Sequence, residues 1–330
     1  MPCPSCDSLR MRDMNVLVTG GAGFIGSHLV ERCLAAGHAV TVLDDFNDYY
    51  DPALKRANVA ACRARGDVAV VEGDLRDKAL VARAIAERRP DAVVHLAARA
   101  GIRPSWADPM LYHDVNVTGT LRLLEAMRDA GVRRLVFASS SSVYGNADAA
   151  PFREDAPDLK PISPYGVSKL LCEHYVRVFS ELTGMAAVCL RFFTAYGPRQ
   201  RPDMAIRLFA RAIRRGEPVP MFGDGSMRRD FTYIDDIVDG VVAALTRPPE
   251  GFHVVNLGGA RTTEVRALIG LLEKALGTPA RIETRPVPPG DVRQTYADVT
   301  KARELLGFSP KVGIEEGIAR FVEWLDQNGA

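Results

Sequence analysis

Residues 15–45 read NVLVTGGAGFIGSHLVERCLAAGHAVTVLDD, and the order of patterns in this stretch decides the fold. An apolar, β-branched run comes first, then a glycine turn, a helical pattern, and a second apolar run ending in acid. Gly20, Gly23 and Gly26 are spaced GxxGxxG. The first lets the chain turn tightly. The second lets backbone approach a pyrophosphate with no side chain in the way, and the third permits close packing of helix on strand. The helix then begins with unpaired N–H groups and the favourable end of its dipole facing the phosphates. Gly20, Gly23, Phe24, Ile25 and Gly26 are therefore candidate dinucleotide contacts. Asp44 lies eighteen residues after Gly26, at the end of the second strand, with Asp45 beside it. A carboxylate there accepts hydrogen bonds from an adenosine ribose and repels a 2′-phosphate, so NAD is expected over NADP. A glycine turn that only packs would need neither the second strand nor the acid.

The same alternation continues outward. Strands are expected at NVLVTG, AVTVLD, VAVVEGD, DAVVHLA, RRLVFASS and AAVCLRFF. Helices are expected near 24–36, 53–65, 77–88, 110–130 and 165–183. The strands are apolar on both faces, as in a parallel sheet covered by crossover helices. The expected fold is α/β, a Rossmann-type doubly wound parallel sheet with a smaller interleaved C-terminal substrate lobe. Residues 14–191 would form the NAD-binding part, with 192–234 and 258–330 forming the second lobe. A helix near 235–246 and the strand HVVNLGG would return to the first sheet.

The bulk properties are those of a soluble globular protein. Of 330 residues, 47% are hydrophobic and 25% charged. Lys and Arg number 42 against 41 Asp and Glu, a net charge of +1 that implies no nucleic-acid partner. No apolar run reaches membrane-spanning length, and the first residues lack the apolar stretch of a signal peptide, so the expected location is cytoplasmic. Cys33, Cys62, Cys172 and Cys189 sit singly in apolar segments and read as core residues. Cys3 and Cys6 form a CxxC within residues 1–13, read as a flexible tail. A zinc site needs four ligands, and no second pair follows, so no metal is expected.

Two further motifs bear on chemistry. EGDLRD places Asp74 and Leu75 after the third strand, where an acid reaches an adenine amino group; Asp77 can serve equally as a helix cap. SPYGVSK places Tyr165 and Lys169 one helical turn apart on one face. A phenol has a pKa of about 10. A neighbouring ammonium would lower it toward the range of a working base.

These segments, with HLAA, DVNVTGTLRLLEA, SSSSVYG, LRFFTAYGP, GDGSMRRDFTYIDD and PPGDV, resemble the extended short-chain dehydrogenase/reductase family, and specifically its nucleotide-sugar epimerases. The resemblance runs from about Asn15 to about Trp324. It implies that Tyr165 takes a sugar hydroxyl proton while hydride passes to NAD, and that Lys169 also holds the nicotinamide ribose. It implies that Ser140 contacts Tyr165 and Ser142 the sugar hydroxyl. Leu96, Ala97, Ala98, Arg99 and Phe192 would border the cofactor, and Asn116 would brace the site from behind. Arg229 and Asp291 match positions that bind the diphosphate and uridine ribose, and Phe222 a position near uracil. An arginine common three residues before that aspartate is Pro288 here. Family members pair the helices near 110–130 and 165–183 into an intersubunit bundle, which implies a homodimer.

Family dehydratases carry an Asp-Glu pair where this chain has Ser141 and Ser142, which argues against dehydration. Epimerisation at C4 of a UDP-sugar remains, with a 4-keto sugar turning over between two hydride transfers. FFTAYGPRQRPDMA and DDFNDYYDPALKRAN resemble the UDP-glucuronate 4-epimerases. Thr194 would lie beside the sugar ring, and Arg201 would pair its carboxylate. Thr295, where glucose-specific members often carry tyrosine, suggests room for an N-acetyl group and keeps UDP-glucose or UDP-N-acetylglucosamine as alternatives. A non-catalytic NAD-binding sensor or scaffold is the reading from another class.

Overall fold

The contiguous strand and helix patterns become a layered α/β structure in the computed structural model, which describes residues 13–147, 149–288 and 290–328. Cys3 and Cys6 lie outside the described residues. The first half runs β1 (Asn15–Thr19), α1 (Phe24–Ala35), β2 (Ala39–Asp44), α2 (Pro52–Arg63), β3 (Val68–Glu72), α3 (Lys78–Arg88) and β4 (Ala92–His95). It continues with α4 (Ile102–Ala107), α5 (Pro109–Tyr112), a π-helical segment (His113–Thr118), α6 (Gly119–Ala130), β5 (Arg134–Ser140), α7 (Pro164–Thr183) and β6 (Ala186–Phe192). Then follow β7 (Thr194–Tyr196), α8 (Ala205–Arg214), β8 (Pro218–Phe222), β9 (Arg228–Arg229), β10 (Phe231–Tyr233), α9 (Ile234–Thr246) and β11 (Phe252–Leu257). The chain ends with β12 (Thr263–Glu264), α10 (Val265–Leu276), β13 (Arg281–Arg285), α11 (Thr300–Leu306) and α12 (Ile314–Gln327).

Seven strands form one parallel sheet in the order β11-β6-β5-β4-β1-β2-β3. Alternate residues feed opposite faces. Val16, Val18, Val40 and Val42 enter one apolar cluster, and Leu17, Leu43 and Val93 enter another. Both faces are thus sealed by helices, which is why these strands read as unbroken apolar runs. The strand order reverses between β1 and β4. In such sheets the crevice at the carboxyl ends of those two strands is where ligands bind.

The helix expected near 110–130 is present as one unbroken helical run over residues 109–130, in which α5 and α6 are joined by the π-helical turn. The cause of the turn lies in its polar contacts: Asn116, in the π segment, is buried and bonded sideways, and its carbonyl also accepts from Cys172 Sγ at 3.3 Å. π segments of this kind occur mostly at functional sites. The four central cysteines are buried and unpaired, as expected.

The remaining strands form small two-stranded sheets, β7 with β10, β8 with β13 and β9 with β12. They stand at the carboxyl end of the large sheet and roof the crevice. Among the described residues no helix is long and apolar enough to cross a membrane, and no cluster of His, Cys, Asp or Glu is arranged to hold a metal ion.

Candidate active site

One cavity of about 750 Å³ runs across the carboxyl ends of the strands and under the small sheets. Its walls include Gly20, Gly23, Phe24, Ile25, Gly26, Asp44, Asp45, Asp74, Leu75 and the run Leu96–Arg99 at one end. Ser140, Ser142, Tyr165, Lys169, Phe192 and Thr194 lie in the middle. Arg201, Phe222, Arg229 and Asp291 line the other end. Of the residues named from the sequence as cofactor, catalytic or substrate contacts, all reach this cavity except Asn116, which lies behind its wall; Thr295 is not among its lining residues.

The glycine turn fits a dinucleotide. Gly20 has φ +68, and a Cβ on it would stand 2.7 Å from the backbone nitrogen of Ala97. A Cβ on Gly26 would stand 2.2 Å from the Gly20 carbonyl oxygen. These two positions accept no side chain, and the backbone of β1, β4 and α1 meets there as closely as it can. No side chain caps the first turn of α1. Its N–H groups are left for an anion. Asp44 is buried and accepts from the N–H groups of Ala22, at 3.1 Å, and Phe46, at 3.0 Å. Burial raises its pKa despite those bonds. Asp77 caps α3 through the N–H groups of Ala79 and Leu80, so the capping alternative for EGDLRD falls on it. Asp74 stays on the cavity wall, paired with Arg76 at 2.6 Å.

Asn116 grips Arg99. Its Oδ1 accepts from the Arg99 N–H at 2.8 Å, and its Nδ2 donates to the Arg99 carbonyl at 3.0 Å and to Ser168 Oγ at 2.9 Å. The π turn aims this amide across the helix face at the strand end. His95, on β4, is buried between Thr19 Oγ1, at 2.7 Å, and Thr120 Oγ1, at 2.9 Å.

At the centre, Ser140 Oγ and Ser142 Oγ are 3.1 Å apart, and Ser140 Oγ also accepts from the Ser142 N–H. Ser139 donates to Glu173, which forms a two-pronged pair with Arg191 at 2.9 and 2.8 Å. The buried Glu173–Arg191 pair joins α7 to β6, and the Ser139–Glu173 bond joins α7 to β5, so the elements that carry Lys169 and Ser140 are tied through Glu173. Burial raises the Tyr165 phenol, while a hydrogen bond with Ser140 and the charge of Arg201 pull it down. Lys169 lines the cavity with Tyr165; its ammonium donates to the Ala138 carbonyl at 2.7 Å and sits 4.9 Å from the centre of the Phe137 ring. Burial lowers the Lys169 pKa to about 8. Four-residue spacing puts Tyr165 and Lys169 on one helix face, and the neighbouring strand takes one of the three ammonium donors.

At the far end the arginines are already engaged. Arg229 donates to Asp291 at 2.7 Å. Arg103 lies 3.5 Å from the same carboxylate and 4.0 Å over the ring of Phe222, so the face expected beside uracil carries a guanidinium. Arg103 escaped the sequence reading. It stands on α4, and no spacing rule links it to Asp291; it supplies a cation at the end of the cavity where Pro288 leaves none. Thr295, by contrast, is buried, and its hydroxyl accepts the Asp230 N–H at 3.0 Å.

Arg201 forms a two-pronged pair with Asp203 at 2.9 and 2.8 Å and lies 5.2 Å from the centre of the Tyr49 ring. Its loop is anchored to α1. His28 Nε2 donates to the Pro198 carbonyl at 2.9 Å, and Arg199, held at φ +62, donates to Glu31 at 2.6 Å.

The family described as NAD dependent epimerase/dehydratase matches residues 16–258. The chain is 41% identical over 313 residues to the UDP-glucuronate 4-epimerase of Thermodesulfobacterium geofontis (strain OPF15), covering 94% of this chain and 96% of that protein. It is 38% identical over 333 residues to a probable UDP-glucuronate 4-epimerase of Rhizobium meliloti (strain 1021), covering 96% and 98%. The crystal structure of UDP-glucuronic acid 4-epimerase from Bacillus cereus, in complex with UDP-glucuronic acid and NAD, superposes with a TM-score of 0.89 at 37% identity, over 96% of this chain and 100% of that one. A glycine cradle at the β1–β4 reversal and a likeness spanning nearly the whole chain agree: the protein belongs to the NAD dependent epimerase/dehydratase family, within the extended short-chain dehydrogenases/reductases.

Proposed function

We propose that the protein is an NAD-dependent UDP-glucuronate 4-epimerase, interconverting UDP-glucuronate and UDP-galacturonate. One observation carries the choice of substrate: Arg201 lines the same cavity as Tyr165, close enough for its charge to act on the phenol. A cation placed there meets the sugar ring, and a guanidinium pairs a planar carboxylate through two parallel hydrogen bonds.

NAD held on the glycine turn supplies a hydride acceptor, and later donor, for the sugar C4. Tyr165 takes the proton from the 4-hydroxyl, with Ser140 and Ser142 bonded to that oxygen and to each other. Arg229 and Arg103 hold the diphosphate, and rotation of the 4-keto sugar about its diphosphate link presents the other face. Tyr165 then returns the proton. A 4-keto uronic acid is a β-keto acid and loses carbon dioxide readily. Arg201 opposes that loss by holding the carboxylate near the ring plane. Residues 14–191 with 235–257 are the cofactor part in this reading, and the rest forms the sugar-nucleotide lobe.

We also propose a cytoplasmic homodimer. On α7, Val167, Leu171, Tyr175, Val178 and Leu182 recur every three or four residues, and Val167, Val178 and Leu182 are exposed. Such a stripe suits a helix packed on a second copy. Sedimentation as a monomer at micromolar concentration would exclude it.

The purified protein assayed against UDP-glucuronate, UDP-glucose and UDP-N-acetylglucosamine tests the assignment. UDP-glucuronate is expected to give the highest kcat/KM, and Arg201→Ala to lose well over tenfold of it. Faster turnover of UDP-glucose, or a neutral Arg201→Ala, overturns the reading.

A further inference from the structure

A guanidinium offers two edges that can each grip a carboxylate in parallel, the Nε–Nη2 side and the Nη1–Nη2 end. In Arg201 the side edge is taken: Nε donates to Asp203 Oδ1 at 2.9 Å and Nη2 to Asp203 Oδ2 at 2.8 Å. Nη1 is not among the buried polar atoms left without a partner, and Arg201 lines the cavity. The end edge is therefore the one presented to a ligand.

The plane of the group is held separately. Tyr49, from the loop between β2 and α2, has two guanidinium groups over its ring, with Arg99 at 5.3 Å and Arg201 at 5.2 Å from the ring centre. Its hydroxyl donates to the Ala100 carbonyl at 2.8 Å, and its N–H is held by Asn47 Oδ1 at 3.1 Å. Beneath it Gly101 adopts φ +121, and a Cβ there would stand 2.9 Å from the Tyr49 hydroxyl. The ring therefore sits on backbone that leaves it little freedom.

Building on the UDP-glucuronate reading, we infer that Asp203 and Tyr49 are the positioning residues that make Arg201 selective for a sugar carboxylate. Asp203 fixes the rotation of the guanidinium in its own plane, and Tyr49 fixes the plane. An arginine otherwise gives up considerable rotamer freedom on binding, and ordering it in advance moves that cost from the binding step to folding. A planar carboxylate fits the end edge with two bonds. A hydroxymethyl group at the same carbon makes one at most, so the gain from ordering falls mainly on the acid. The opposing arrangement, in which Asp203 competes with the substrate and must leave, predicts the reverse effect of its removal.

The experiment compares kcat/KM for UDP-glucuronate and UDP-glucose in wild type, Asp203→Asn, Tyr49→Leu and Tyr49→Phe, each purified with its NAD and checked by thermal melting. Asp203→Asn and Tyr49→Leu are expected to shrink the ratio of the two values at least fivefold, with the loss carried by the KM for UDP-glucuronate. Tyr49→Phe keeps the ring and should retain most of the discrimination. A lower KM for UDP-glucuronate in Asp203→Asn, or an unchanged ratio in both Asp203→Asn and Tyr49→Leu, overturns the inference while leaving the substrate assignment standing. A wild type that prefers UDP-glucose removes the substrate assignment first, and this inference falls with it.

Discussion

The ammonium of Lys169 donates to the carbonyl of Ala138 at 2.7 Å, one strand end away from the tyrosine with which it shares a helix face. Burial leaves its pKa at about 8 and keeps the Tyr165 phenol above its ordinary value. A base in that state gains activity as the solution becomes more alkaline. Tyr165→Phe keeps the ring and its edge contact with Tyr112, where ring centres are 6.3 Å apart, and loses only the hydroxyl. Turnover should fall by at least a thousandfold, the upper part of the range for general-base catalysis, with NAD still bound. Residual turnover within tenfold of wild type would take the role of base from Tyr165.

Gly26→Ala tests the cradle. A Cβ standing 2.2 Å from the Gly20 carbonyl must push α1 away from β1. The expected product is a folded protein that elutes without dinucleotide and shows no epimerisation. Spectrophotometric measurement of bound NAD, with circular dichroism for folding, decides it. An alanine variant that retains stoichiometric NAD would exclude the third glycine as the limit of approach.

Glu173 and Arg191 form a buried ion pair at 2.8 Å. Removing one partner strands the other charge in the interior. Arg191→Met is expected to destabilise the fold by about 3–5 kcal/mol, and the double variant Glu173→Leu with Arg191→Met to recover much of it. Urea unfolding of wild type, each single variant and the double variant measures this. Additive losses in the double variant would mean that the pair does not act as a unit.

Glu31 meets Arg199 at 2.6 Å and Arg65 at 3.3 Å, joining the cofactor helix to the loop that carries Arg201. Glu31→Gln should raise the KM for the sugar nucleotide several-fold while NAD stays bound. Titration of UDP-glucuronate into the NAD-loaded variant checks this; unchanged affinity would show that the loop stands without the tie.

His95 has a pKa lowered to about 3 by burial, with the Lys169 charge adding to the effect. The folded protein keeps this imidazole neutral, while the unfolded chain protonates it below about 6.5. Its contribution is complete above that value and is lost as pH falls from about 6.5 toward 3, at about 1.4 kcal/mol per pH unit. Buried carboxyls such as Asp230, raised to about 6, act in the opposite sense, so the group must be isolated by difference. The stability of wild type relative to His95→Gln should fall by about 2 kcal/mol between pH 7.5 and pH 5. A difference that does not change with pH would mean that His95 protonates without cost.

Strand, turn, helix and second strand are contiguous in residues 15–45, and each patterning rule acts within one element. The dinucleotide half of the cavity was therefore legible from the chain alone, as were the parallel sheet and the return of HVVNLGG to its edge beside β6. The sequence alone also determined that Tyr165 and Lys169 share a face, because four residues nearly complete a helical turn. What it does not encode locally is which group each charge meets. Arg229 and Asp291 are 62 positions apart, and Tyr49 meets the Ala100 carbonyl across 51. Arg103 reaches Asp291 only because α4 and the segment between β13 and α11 converge at the cavity. Tertiary structure alone decided that Lys169 donates to the Ala138 carbonyl, that Arg201 is paired with Asp203 beside the Tyr49 ring, and that Thr295 accepts the Asp230 N–H. The physical reason is range. Propensity and periodicity act over one turn or one strand, whereas ion pairs and stacked rings form between whatever side chains the completed fold brings within about 4–6 Å.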